Sequence, residues 1–115
     1  MSTCPYCCAS EDDAWGVTEQ AIAVPASDPV TPGHCIIAPR RHVSELYELD
    51  AQEQQEVWSL IATVRNRIMA GVNVESFHLG FVESHDGTGH MHVHVVPQPL
   101  GETIHLPEQV EWIKT

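Results

Sequence analysis

His90-Met91-His92-Val93-His94-Val95-Val96-Pro97 alternates imidazole and apolar side chains. A β-strand sends successive side chains to opposite faces, so Met91, Val93 and Val95 look one way and the three histidines look the other. Same-face neighbours on a strand stand about 6.6–6.8 Å apart, which separates His90 from His94 by roughly twice that distance. They are too far apart to share one ligand atom, so the three imidazoles must serve different tasks. Just upstream, Ser76 to Val82 alternate as well, with Phe77, Leu79 and Phe81 on one side. The Gly- and Asp-containing stretch Glu83 to Gly89 reads as the turn joining the two strands into a hairpin-like antiparallel pair.

Working back from this pair, Asp50 opens a helix. Its side chain can cap the free amides while Glu53, three residues on, reaches back in a capping box. Val57, Leu60, Ile61, Val64 and Ile68 follow at three- and four-residue intervals, forming one buried stripe, and Gly71 supplies the stop. Glu45, Glu48, Glu53 and Glu56 read as a solvated face. Nearer the start, Val17 to Val24 read as a strand, Ser27 to Gly33 as a loop punctuated by Pro29, Pro32 and Gly33, and His34 to Ala38 as a short apolar strand closed by Pro39. Arg40 and Arg41 then read as decoration of a surface turn ahead of His42. Thr103 to Thr115 form a tail whose Ile104, Leu106, Val110, Trp112 and Ile113 can pack on a neighbour.

A chain of 115 residues suits one domain with a single core. Sixteen acidic against five basic residues give a net charge of -11, which repels polyanions and argues against a nucleic-acid or anionic-membrane partner. A small phosphate ligand is compatible if the site carries its own donors. No apolar run has the length of a membrane span, and Met1 to Cys8 have neither the basic region nor the apolar stretch of a secretory leader, so the expected location is cytoplasmic. Four cysteines in that compartment read as metal ligands or free thiols rather than as disulfides. Cys4 and Cys7 have the spacing that closes two thiolates on one zinc ion, with an exposed tail carrying incidental thiols as the alternative. A redox role fits poorly, because only three residues precede Cys4 and a redox-active pair follows a buried strand. Two imidazoles at i and i+2 also suit a cupin-like metal site, but Val95 to Leu100 contain no carboxylate to complete one.

His90 to Val96 match the His-x-His-x-His-x-x signature, x apolar, and on these residues the chain resembles the histidine triad (HIT) superfamily. Pro32 to His42 are similar to that family's second motif, a Gly-His pair followed by an apolar strand, Pro, two residues and His. Asp50 to Gly71 fall where the family has its long helix. The resemblance implies an α+β fold, a twisted antiparallel sheet of about five strands with one long helix packed on it, in a single domain over residues 1–115. It also implies hydrolysis or transfer at the α-phosphorus of a nucleotide through a covalent nucleotidyl-histidine, and commonly a homodimer. By position His92 is the nucleophile, its other nitrogen held as N–H by a backbone carbonyl near the third histidine, while His94 and His34 line the phosphate.

The zinc-containing bacterial branch of the family holds a structural ion with two Cys and two His, here Cys4, Cys7, His42 and His90, with Cys8 as a substitute for Cys7. The chain departs from the family at three places. Ala26 stands where a ribose-binding Asp is usual, with Asp28 nearby. Val82 to Gly89 replace the usual Asn and Gly-Gln-Ser/Thr run, leaving Thr88 as the hydroxyl near the substrate, and Gln98 stands for a frequent Arg. Asp28 and Thr88 thus join His34 and His94 as expected substrate-binding residues. A non-catalytic HIT-like module that senses a nucleotide or a metal is the alternative function.

Overall fold

The computed structural model describes Tyr6, Asp12 and residues 14–71, 73–83, 89–108 and 110–114. Six strands form one antiparallel sheet: β1 (Gly16–Val17), β2 (Ala21–Pro25), β3 (Cys35–Pro39), β4 (Val74–Val82), β5 (His92–Pro99) and β6 (Glu111–Lys114), in the order β1-β2-β3-β5-β4-β6. Helix α1 (Ala51–Met69) packs on one face. The α+β architecture expected from the sequence is thus observed. None of the described helices is long and apolar enough to cross a membrane.

Two segments account for the strand count. The expected strand Val17 to Val24 is a hairpin, because Thr18 makes a tight turn in which its amide donates to the Ala21 carbonyl (2.9 Å) and its hydroxyl accepts from the Ala21 amide (3.0 Å). Glu56 on α1 also accepts from the Gln20 amide at 3.0 Å. The C-terminal tail supplies β6, which pairs with β4 from His78↔Lys114 to Phe81↔Glu111.

The apolar alternation does what its period requires. Val57, Leu60, Ile61, Val64 and Ile68 of α1 are all buried against Ala21, Ala23, Cys35, Ile37, Phe77, Leu79, Val93 and Val95. Each large aliphatic side chain so buried contributes about 1.5–3 kcal/mol. Strand β5 pairs with β3 on one side and with β4 along its whole length on the other, so its opposite face presents His92 and His94 in a fixed row. The strand starts at His92, two residues later than the alternation suggests. Met91 instead donates its amide to the Val43 carbonyl at 2.7 Å, which ties the start of the histidine run to the segment after β3.

Asp50 and Glu53 form the expected capping box. Glu48 is exposed and Glu45 and Glu56 are partly so, as a solvated face requires, but for Glu53 that reading fails. Glu53 is buried and takes Arg41 in a two-point pair, Nε to Oε2 at 3.0 Å and Nη2 to Oε1 at 2.8 Å. The Arg41 hydrogen bond is the main reason its carboxyl is held below the usual carboxylate range. Arg41 also donates to the Glu48 carbonyl at 2.8 Å, while the Glu48 carboxylate accepts from the Ser44 hydroxyl at 2.6 Å. Arg41 is therefore a tether between α1 and the segment carrying His42, not surface decoration. Helix α1 ends at Met69 with Ala70 as its C-cap, and Gly71 follows without a left-handed conformation. Gly33 does need one: its φ is 95°, and a Cβ there would stand 3.1 Å from Cγ of Pro97, so glycine is what sets His34 against β5.

Glu53→Ala removes the partner of Arg41 and leaves the Asp50 amide without its acceptor. The variant is expected to lose about 1 kcal/mol of unfolding free energy, chiefly through the capping-box hydrogen bond, since the Arg41 end of the pair is exposed and screened by solvent. Urea unfolding followed by circular dichroism measures it.

Candidate functional site

Two sets of hydrogen bonds, one through His92 and one through His34 and His94, decide where each proton sits. His92 Nδ1 lies 2.9 Å from the carbonyl oxygen of His90. A carbonyl only accepts, so Nδ1 carries the hydrogen and Nε2 carries the lone pair. This acceptor belongs to the first histidine of the run, not to the neighbourhood of the third. His90 precedes β5, so its carbonyl turns to the His92 ring rather than to a neighbouring strand.

His34 and His94 are ordered by the second set. The Val30 amide donates to His34 Nδ1 at 3.0 Å, which leaves the His34 hydrogen on Nε2. That nitrogen lies 2.9 Å from His94 Nδ1 and donates to it, so the neutral His94 ring carries its own hydrogen on Nε2. Both nitrogens of His34 are engaged within the protein, and the hydrogen on His94 Nε2 ends this series. The rings of His34 and His94, and of His92 and His94, have centroids 5.1 Å apart. One contiguous cluster therefore holds a lone pair and a hydrogen-bond donor side by side.

Burial keeps this cluster neutral. Desolvation is the main cause lowering the pKa of His34, His90, His92 and His94 below the ordinary 6.5. For His94, the neighbouring His92 and His34 add to it and the value falls to about 4. Exposed Asp28 acts the other way, raising His34 through its charge, which places this loop carboxylate within electrostatic reach of the cluster.

His90 is buried and its Nε2 donates to the Pro39 carbonyl at 2.7 Å, leaving Nδ1 as its lone-pair nitrogen. The His42 ring stands beside it, centroids 4.8 Å apart. Two of the four expected zinc ligands are thus neighbours, and a histidine whose second nitrogen is fixed by a carbonyl is arranged as metal-binding histidines usually are. Cys4, Cys7, Cys8 and Thr88 lie outside the described residues. Among the described residues no group of three or more His, Cys, Asp or Glu side chains is arranged to hold a metal. Cys35 is a core residue whose thiol is pushed up to about 12 by burial, and is neither ligand nor nucleophile.

Two contributors escape a reading of the sequence, and a third, Gln98, was legible only as a departure from the family. The Val30 amide, which sets the His34 tautomer, belongs to the backbone and has no signature beyond its place in a proline-punctuated loop. Tyr6 packs its ring on His92, centroids 4.6 Å apart and planes tilted by 34°, and also meets His90 edge-on at 5.6 Å. Its place inside the Cys4 to Cys7 motif was the available signal. Gln98, where the family often has Arg, accepts from His78 Nε2 at 3.1 Å and donates to the Pro99 carbonyl at 3.3 Å. It is occupied in bracing the end of β5.

A single-helix antiparallel sheet that presents a row of neutral imidazoles from its central strand defines the class. The model of the HIT domain family matches residues 9–99, and the chain belongs to that family. A HIT family protein from Bacillus anthracis superposes with a TM-score of 0.74 at 19% identity, over 94% of this chain and 84% of that one. A hypothetical histidine triad nucleotide-binding protein from Sulfolobus tokodaii gives 0.73 at 22% identity, over 86% and 71%. A Zn-bound histidine triad family protein from Mycobacterium smegmatis gives 0.66 at 21% identity, over 90% and 81%. Likenesses at these identities establish a shared fold.

Neutral imidazoles make folding sensitive to acid. Between pH 6.5 and about 4 the unfolded chain takes up a proton at His94 that the folded chain refuses, so stability falls as pH drops through that window and is constant with respect to this group above it. Urea midpoints at pH 7 and pH 5 should therefore differ more for the native protein than for His94→Gln, which removes the titrating group.

Proposed function

We propose that the chain is a HIT-type hydrolase or nucleotidyltransferase acting at the α-phosphorus of a nucleotide substrate such as a phosphoramidate or a dinucleoside polyphosphate. The observation that carries this reading is the His92 tautomer: with Nδ1–H held by the His90 carbonyl, the lone pair on Nε2 is set for attack. Nε2 forms a bond to phosphorus as the bond from phosphorus to the leaving group breaks, and the leaving group departs with that electron pair and takes a proton from water. Water or a second hydroxyl-bearing acceptor then forms an O–P bond and releases its proton to solvent, while the N–P bond breaks and its electron pair returns to Nε2 as the lone pair. His94 Nε2–H donates to the phosphoryl oxygens as their charge grows. His34 acts through His94 as a positioning residue, since both its nitrogens are engaged. Asp28, on the loop between β2 and β3, and Thr88, on the sequence resemblance alone, stand as the substrate-binding candidates.

A closed Cys4, Cys7, His42 and His90 set would hold zinc structurally. The ion would supply folding energy and take no part in the reaction. The fixed Nε2–H of His90 and its proximity to His42 support this reading. The second functional reading, a module that binds a nucleotide without turning it over, is favoured by Ala26 in place of the usual ribose-binding acid.

Intact mass after brief incubation with candidate nucleotides separates the two readings. The enzyme is expected to show a nucleotidyl adduct or released product, both lost in His92→Ala with its circular dichroism unchanged; adduct formation by that variant excludes His92 as nucleophile. For zinc, metal analysis of protein purified without added metal should give about one ion per chain, and a chelator should lower the melting temperature. A metal-free protein indifferent to chelator removes the zinc reading.

A further inference from the structure

The loop before β3 holds His34 with its backbone and lines a cavity with its side chains. The Val30 amide donates to His34 Nδ1 at 3.0 Å, the Thr31 carbonyl accepts from the His34 amide at 3.1 Å, and the Thr31 hydroxyl donates to the Pro97 carbonyl at 2.8 Å. At the end of β5 the chain reverses through a turn in which the Glu102 amide donates to the Pro99 carbonyl at 3.3 Å and Gly101 takes a φ of 79°. Gln98 Nε2 fastens this turn by donating to the Glu102 carbonyl. Between loop and turn lies a cavity of about 410 Å³, lined by Val30, Thr31, Pro32 and Pro99 and by residues 102–105. Small-molecule sites commonly measure roughly 300–1,000 Å³.

The lining sets the chemistry of what fits. Val30, Pro32, Pro99 and Ile104 supply apolar walls, and Glu102 is the one Asp, Glu, Lys or Arg among the described lining residues. No described residue donates a hydrogen bond or an ion pair to its carboxylate. The Thr31 hydroxyl is buried and already spent on Pro97. An anion entering here would meet the Glu102 carboxylate and the field of a chain carrying -11, whereas a cation with an aliphatic body matches both the charge and the walls. We propose that this cavity is a binding site for a small primary alkylammonium ligand, its head on the Glu102 carboxylate and its chain against Val30, Pro99 and Ile104. Occupancy is felt at the histidine cluster, because the residue that lines the cavity at Val30 is also the one whose N–H sets the His34 tautomer. The site requires no turnover at His92 and stands apart from the phosphate reading.

Titration with n-butylammonium, n-butanol and butyrate, followed by the NMR signals of backbone amides and histidine rings, tests it. n-Butylammonium should shift the Val30, Thr31 and Ile104 amides saturably and move the His34 Nδ1 resonance with the same midpoint. n-Butanol should bind about threefold more weakly, a difference within the range of one exposed ion pair, and butyrate more weakly still. Glu102→Gln should bring n-butylammonium down to the affinity of n-butanol and leave n-butanol unchanged. Equal affinities of the native protein for n-butylammonium and n-butanol overturn the site, as does a Glu102→Gln variant that keeps the preference. Shifts spread over the acidic surface without saturation at these three amides report diffuse attraction by net charge and overturn it as well. Saturation of the cavity with His34 unmoved overturns the link to the histidines.

Discussion

The pairing of β5 between β3 and β4 is the constraint from which the rest follows. Because the side-chain period of a strand is two, a slip of one residue would drive His92 and His94 into the helix-facing core and bring Val93 and Val95 out. The apolar row of β5 is buried against α1 together with Cys35, Ile37, Phe77 and Leu79, so the register that hides the valines is the one that presents the imidazoles. Core packing and site geometry are thus the same structural fact seen from two faces of one strand. The glycine at position 33 belongs to this arrangement, since its left-handed backbone lets the loop before β3 close on Pro97 and bring His34 to His94.

The histidine cluster offers oriented hydrogen-bonding groups rather than net charge. A chain carrying -11 overall has no long-range attraction for an anion. The cluster is nevertheless neutral and partly desolvated, and in such surroundings one well-aimed N–H interacts more strongly with an anionic oxygen than it would in water. The ordering of the tautomers by backbone groups, the Val30 amide and the His90 carbonyl, lets His34, His94 and His92 coexist without competing for protons. The same logic extends to His90, whose ring is fixed by the Pro39 carbonyl beside the ring of His42.

The supporting network is ionic but lies apart from the cluster. Arg41, Glu53, Glu48 and Ser44 tie the segment after β3 to the first turn of α1. That segment carries His42 and lends the Val43 carbonyl to Met91 at the entry to β5. A helix-capping residue thereby helps to hold the histidine run in place, which explains why Glu53 is buried although its position on the helix resembles that of its exposed neighbours.

Much of this was legible in the residues themselves. The alternation of His92 to Val96, the apolar stripe of α1 and the Asp50 capping box are local patterns whose consequences follow from strand and helix geometry, and the two histidine motifs placed the chain beside its family. Tertiary structure decided the rest, because the deciding partners are remote in sequence. His94 meets His34 across 60 positions and His90 meets Pro39 across 51. The burial of Glu53, the hairpin at Thr18 and the sixth strand likewise depend on what the rest of the chain brings alongside. Trp112 illustrates the difference: in the sequence it is one apolar residue in a tail, and only the pairing of β6 with β4 sets it on Gly80, next to His94. Period and capping are properties of a segment, whereas a tautomer, a buried carboxylate and a stacked ring are properties of the neighbours that the fold supplies.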